Sequence, residues 1–390
     1  MQQKGTMKII FLTMSFAMKA GVERILSDKM NYMAEHGHEI IMVTYEQGEH
    51  KFPFAIHPSI RHIDLDTRFF TLGRMSLPKR MIRILRLRRQ FKQRLQKVID
   101  EFSPDIIHTS TYCLKVADII LEIKTKAKLT MASHVSYESV LKESDFSTSF
   151  WPLKKLAKTY DHWLLKKLNR FDRFIVLTRG DAKSWKKYLH HVTIIPNPLT
   201  LYPETIKSHA IPHNRIICAG RLESQKGFDL LIHSFATISE QCKDWNIDIF
   251  GSGTDEHMLR ALITENKLEQ QIQIHPATNH IFEEYQNSDF FVFSSRFEGW
   301  GLVLVEAMAC GIPAVSFRCN YGPEEIISDG EDGLLVSNGD IYDLAEKILW
   351  MIRHPSERVR MGEAARKNVK KYKKEFIIQQ WIELFESLLK

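Results

Sequence analysis

Short runs dominated by apolar residues alternate with longer amphipathic stretches along this 390-residue chain. Lys8 to Thr13, Glu39 to Tyr45, Ile106 to His108, Leu129 to Ser133, Phe174 to Leu177 and Val192 to Ile195 read as strands of a parallel sheet covered on both faces. Arg215 to Ala219, Ile247 to Phe250 and Phe290 to Phe293 continue the series in the second half. Helical spacing fills several of the intervals; one helix opens at Gly21, runs to about Glu35 and is ended by Gly37. Such alternation predicts an α/β protein of doubly wound sheets that hold ligands at the carboxyl ends of their strands. The chain is too long for one ordinary core, and the proline-rich stretch from Pro196 to Pro212 divides it. The expected domains are 1–198 and 199–373, followed by an amphipathic helix from Phe376 to Leu389.

The chemistry concentrates after Phe293, in Ser294-Ser295-Arg296-Phe297-Glu298-Gly299-Trp300-Gly301-Leu302-Val303-Leu304-Val305-Glu306. Gly299 and Gly301 let backbone N–H groups approach a ligand, and the helix start at Leu302 and Val303 suits a phosphate. Glu298 and Glu306 beside it suit sugar hydroxyls, so the segment fits a nucleotide sugar. By itself it is also an ordinary strand-to-helix turn. Gly220-Arg221-Leu222 with Lys226-Gly227 follows one strand and Gly251-Ser252-Gly253 another. Arg221 offers a planar fork and Lys226 a movable point charge for a diphosphate.

These landmarks, with Gly322-Pro323-Glu324-Glu325 and Asp332-Gly333, fall in an order that resembles glycosyltransferase family 4, retaining enzymes of the GT-B fold. The likeness is dense from about Arg215 to Val336 and thinner before it. It implies two Rossmann-like domains facing across a cleft, the first binding acceptor and the second the nucleotide sugar, with the final helix (about 374–390) packed on the first. It implies that Arg221 and Lys226 hold the diphosphate and Glu306 the ribose. Glu298 would meet the donor sugar, helped by N–H groups of Gly299, Trp300 and Gly301. Gly251 and Gly253 would flank the nucleotide. Gly21 stands in the family's glycine loop, where Ala20 replaces a second glycine, and His134 matches a histidine that approaches the reacting sugar. Asn197 would fix the hinge. The resemblance points to bacterial surface-polysaccharide enzymes that use UDP-hexoses, although Trp300 stands where phenylalanine is more usual.

A net charge of +7 is unevenly placed. Lys79, Arg80, Arg83, Arg86, Arg88, Arg89, Lys92, Arg94 and Lys97 occur with no acid among them, and Ile84, Leu87, Phe91, Leu95 and Val98 form one helical stripe. Either 79–97 meets an anionic membrane, or its stripe packs on the first sheet and its charges are solvated. A second basic segment runs from Trp151 to Arg170. Nucleic acid is disfavoured because no stacking platform is evident. Five scattered cysteines and the absence of a signal-like start fit a cytoplasmic enzyme, peripheral at the membrane if the first alternative holds. Asp64-Leu65-Asp66 is a possible metal motif, read instead as a solvated strand end, so no cofactor or metal is expected.

The leading reading is therefore a metal-independent retaining transferase moving a hexose or N-acetylhexosamine from a UDP-sugar to a glycan or lipid-linked hydroxyl. Two others stay open: an epimerase or hydrolase of the same fold, and a non-catalytic nucleotide-sugar-binding partner.

Overall fold

The computed structural model describes residues 5–18, 20–69, 71, 77–110, 114–144, 159, 162–206 and 213–390. The chain separates into two compact units: 1–177, 181–196 and 374–390 form the first, 178–180 and 197–373 the second.

In the first unit β1 (Lys8–Thr13), β2 (Glu39–Thr44), β3 (Arg61–Asp64), β4 (Ile106–Ser110), β5 (Lys128–Ala132), β6 (Arg173–Val176) and β7 (Val192–Ile194) form one parallel sheet in the order β3-β2-β1-β4-β5-β6-β7. All five residues of β4 are buried, because a central parallel strand has helices over both faces. The Leu77–Phe102 helix places Leu87, Phe91, Leu95 and Val98 in the interior. Its predicted stripe is thus core packing from Leu87 onward, with Ile84 only partly buried. Arg88 and the basic residues of its C-terminal half are engaged locally: Arg88 pairs with Asp118 (3.1 Å) and Glu122 (2.7 Å), and Lys92 with Glu122 (3.0 Å). Arg94 donates to the Leu65 and Asp66 carbonyls. Much of the Trp151-to-Arg170 segment lies outside the described residues; within it, Lys167 pairs with Asp118 (2.6 Å).

The Lys374–Leu389 helix belongs to the first unit and packs on the Gly21–Glu35 helix. Trp381 lies over the buried Lys29 ammonium nitrogen at 3.4 Å and edge-on to His108 at 4.9 Å. Burial drives the Lys29 pKa well below the usual lysine range, since an ammonium ion loses its hydration there.

The second unit repeats the plan. β8 (Arg215–Ala219), β9 (Asn246–Phe250), β10 (Ile272–His275), β11 (Phe290–Phe293), β12 (Ala314–Phe317) and β13 (Gly333–Val336) order as β10-β9-β8-β11-β12-β13, all parallel. A buried pair braces it: Arg358 lies 3.2 Å from Asp289, whose other oxygen accepts the N–H groups of His213 and Arg215. Arg358 also donates to the Met351 carbonyl (2.7 Å), so the pair's hydrogen-bonding capacity is well used.

Candidate active site

In the second sheet the strand order reverses between β8 and β11, and a doubly wound sheet opens its ligand crevice at such a point. The loops leaving these two strands carry Gly220 to Gly227 and Ser294 to Gly301, and they are tied together. Arg296 N–H donates to the Gln225 carbonyl (2.8 Å), Gln225 Nε2 to the Phe297 carbonyl (3.0 Å) and Ser294 Oγ to the Lys226 carbonyl (2.9 Å). The Arg296 guanidinium grips both Asp229 oxygens at 2.7 and 2.6 Å. Gly227 makes the approach possible: its φ is 63°, and a β-carbon there would sit 2.1 Å from the Ser294 carbonyl oxygen.

Tying the loops brings Lys226 and Glu298 into contact. The ammonium nitrogen lies 2.6 Å from Glu298 Oε1, which also accepts a hydrogen bond from Ser295 Oγ at 2.7 Å. Glu298 is only 7% exposed, so this pairing offsets much of the cost of burying its charge. Beside it the Cys319 thiol is pushed up to about 12, mainly by burial and secondarily by the Glu298 charge. That thiol is no nucleophile at neutral pH. The Lys226 stem crosses Gly220, where a β-carbon would come within 3.1 to 3.3 Å of three of its carbons.

Arg221 does not join this cluster. Its side chain is 62% exposed and is held within its own loop by Glu223 (2.8 Å) and Gln225 (3.2 Å).

Gly301, at φ 100°, turns the chain into the Leu302–Ala309 helix. The N–H groups of Leu302 and Val303 fall in the first turn, ahead of the intrahelical ladder, and both residues are partly exposed. Glu306, one turn further in and 8% exposed, accepts a 2.6 Å hydrogen bond from Thr200 Oγ1. No sequence pattern singles out Thr200, which lies 106 positions away. Burial, and next the Glu306 charge, hold the Tyr285 hydroxyl pKa well above its usual value. Gly299 is partly exposed, while Trp300 is buried, edge-on to Tyr372 at 5.0 Å.

Gly251 and Gly253 have a structural reason to be glycine. A β-carbon on Gly251 would lie 1.9 Å from the Gly220 carbonyl oxygen, and one on Gly253 would lie 2.3 Å from that of Leu222. The loops after β8 and β9 are hydrogen-bonded at this spacing, Leu222 N–H to the Ser252 carbonyl (2.9 Å) and Asp255 N–H to the Leu222 carbonyl (2.9 Å).

His134 and Gly21 lie in the first unit. His134 follows β5, partly exposed, with Nε2 3.4 Å from Ser110 Oγ at the end of β4. Gly21 is exposed and begins the Gly21–Glu35 helix. Asp64 does end a strand, β3, but its carboxylate is hydrogen-bonded and not merely solvated. Its carboxylate accepts from Thr44 Oγ1 (3.1 Å) and from the N–H groups of Gly48 (2.9 Å) and Asp66 (3.2 Å), which shapes the turn after β2. Asp66 pairs with Arg68 (2.6 Å). Among the described residues no group of three or more histidine, cysteine or acidic side chains is arranged to hold a metal ion.

The model of Glycosyltransferase Family 4 matches residues 20–201 and that of Glycosyl transferases group 1 matches residues 203–368. The chain belongs to the GT-B glycosyltransferases. An uncharacterized glycosyltransferase of Haemophilus influenzae is 25% identical over 378 residues, 96% of this chain and 98% of the relative. The amylovoran biosynthesis glycosyltransferase AmsD of Erwinia amylovora is 26% identical over 388 residues, 96% of this chain and 98% of its own. The crystal structure of Anabaena HepE in complex with UDP superposes with a TM-score of 0.75 at 19% identity, covering 98% of this chain and 100% of that one. This last likeness carries the fold.

Proposed function

We propose that this glycosyltransferase moves a hexose or N-acetylhexosamine from a UDP-sugar to a hydroxyl of a glycan or lipid-linked acceptor, with retention of configuration and without a metal ion. The observation that carries the reading is the buried Lys226–Glu298 pair beside a glycine-opened helix start at the reversal of strand order. AmsD, named for amylovoran biosynthesis, and HepE, crystallised with UDP, support the substrate class.

The second unit is the donor-binding part in this reading. Transfer builds negative charge on the departing diphosphate, and donors already in place stabilise it without reorganising. Lys226 and the first-turn N–H groups of Leu302 and Val303 stabilise that charge, and the exposed Arg221 adds a guanidinium. Glu298 accepts hydrogen bonds from donor-sugar hydroxyls, and Glu306 does the same for the ribose. The first unit binds the acceptor, with His134 toward the reacting sugar and Gly21 at a phosphate. Retention rests on the family likeness of the Glu298 and Glu306 pair; the leaving phosphate oxygen then takes the acceptor's proton.

Saturation-transfer NMR with a panel of nucleotide sugars tests the donor assignment. Selective saturation of one UDP-hexose supports it, whereas binding of none by folded protein overturns it. Release of a free sugar without acceptor would point instead to a hydrolase or epimerase. Transfer is expected to persist undiminished in excess chelator; its abolition would refute the metal-independent scheme.

Thr200 allows a sharper test of the ribose contact. Its hydroxyl at 2.6 Å orients one Glu306 oxygen. Thr200→Val is expected to weaken UDP binding about three- to tenfold, the net worth of one ordinary hydrogen bond, with kcat nearly unchanged. Thr200→Ser should restore it. Isothermal titration with UDP and 2′-deoxy-UDP checks this, and equal affinities of the wild type for both would remove Glu306 from the ribose.

A further inference from the structure

The first half of the Leu77–Phe102 helix is unlike the second. Met81, Ile82 and Leu85 are 61%, 72% and 65% exposed, an unusual concentration of large apolar side chains on three positions of one helical face. The exposed cations Lys79, Arg86 and Arg89 surround them, together with the partly exposed Arg80 and Arg83. The first acid in the helix is Asp100. Arg88 and the cations of the second half are spent on Asp118, Glu122, Glu101 and two carbonyls. Among the described residues no ion pair involves Lys79, Arg80, Arg86 or Arg89. The core stripe of Leu87, Phe91, Leu95 and Val98 accounts for neither the exposed apolar trio nor the cations around it.

We propose that residues 79–89, and not the helix as a whole, form a membrane-docking edge in which Met81, Ile82 and Leu85 enter the headgroup boundary of an anionic phospholipid bilayer. Charge complementarity selects this occupant: a run of cations flanking exposed apolar side chains is the composition of an interfacial helix, with lipid phosphates meeting the cations. A lipid surface offers apolar depth and a plane of phosphates together, which matches the apolar trio and the cations around it. No helix among the described residues is long and apolar enough to cross a membrane, so this edge lies on the surface. The inference deepens the lipid-linked acceptor reading, since docking would confine the enzyme to the plane that holds such an acceptor. Vesicle binding and donor binding fail independently, so the two readings can be separated.

Co-sedimentation of the full chain with phosphatidylglycerol–phosphatidylcholine vesicles (about 3:7), and with phosphatidylcholine alone, tests it. Binding is expected only with the anionic lipid. Met81→Ser/Ile82→Ser/Leu85→Ser should lower partitioning about tenfold or more, because burial of three large apolar side chains is lost. Arg86→Glu/Arg89→Glu should do the same and remove most of the salt dependence. The exposed pair Lys370→Glu/Lys371→Glu carries the same charge change in the second unit and should bind nearly as well as wild type. All substituted side chains are exposed, and unchanged thermal midpoints verify folding. Equal binding by the serine variant and wild type, equal loss in the Lys370/Lys371 control, or binding to phosphatidylcholine alone overturns the proposal. So does lipid-free self-association that the serine variant abolishes, which would make a second copy the occupant.

Discussion

Glu298→Gln is expected to lower kcat by about a hundred- to a thousandfold while UDP binding changes little. Glutamine keeps the shape and can still accept from Ser295 Oγ, now 2.7 Å from the carboxylate. The charge that neutralises Lys226 is lost, and with it the strongest acceptor for a sugar hydroxyl. The loss should therefore appear in the sugar-transfer step, not in affinity for a nucleotide that lacks the sugar. Steady-state transfer, with UDP affinity measured separately, checks this. Normal turnover would remove Glu298 from the chemistry; parallel loss of UDP binding would make the Lys226–Glu298 pair a structural brace.

Gly251→Ala is the second large effect. The added methyl group would lie 1.9 Å from the Gly220 carbonyl oxygen, a backbone atom that cannot swing aside. The loops after β8 and β9 must separate, breaking the hydrogen bonds between Leu222 and Ser252 and between Asp255 and Leu222. An overpacked site of this kind costs about 3 kcal/mol or more. A drop in the second unit's melting temperature of roughly 6–12 °C follows, at about 2–4 °C per kcal/mol for a unit of this size. UDP affinity should fall with it, because Gly220 and Lys226 lie on the displaced loop. Gly339→Ala is the control: φ there is 80° with nothing within 4 Å, so only backbone strain of about 1–2 kcal/mol applies. Calorimetry that gives the two variants equal midpoints would refute the packing argument.

The course of the helix 77–102 shows how far a pattern can be read. Leu87, Phe91, Leu95 and Val98 recur at helical spacing, and that spacing alone predicts their burial. Whether the arginines beside them are free depends on Asp118 and Glu122, which arrive from a different part of the chain. The same limit applied at Asp64, where a sequence motif suggested metal or solvent and the carboxylate organises a turn. Arg221 and Lys226 looked like equal partners five positions apart, yet Lys226 alone reaches Glu298. Nor could a linear reading foresee that Thr178–Gly180 joins the second unit, because three residues carry no periodicity of their own.

The amino-acid sequence by itself determined the element types, the doubly wound class and the places where backbone must come close. Period-two and period-3.6 burial, and glycine's freedom at positive φ, are local properties of a chain. Only the tertiary structure decided which charges meet. Glu298 meets Lys226 from 72 positions away and Thr200 meets Glu306 from 106, while within residues 79–89 Arg88 finds Asp118 and Lys79, Arg80, Arg86 and Arg89 form no ion pair among the described residues. An ion pair is set by distance and burial after the sheets have formed, and strand order, which creates those distances, is not written in any one segment.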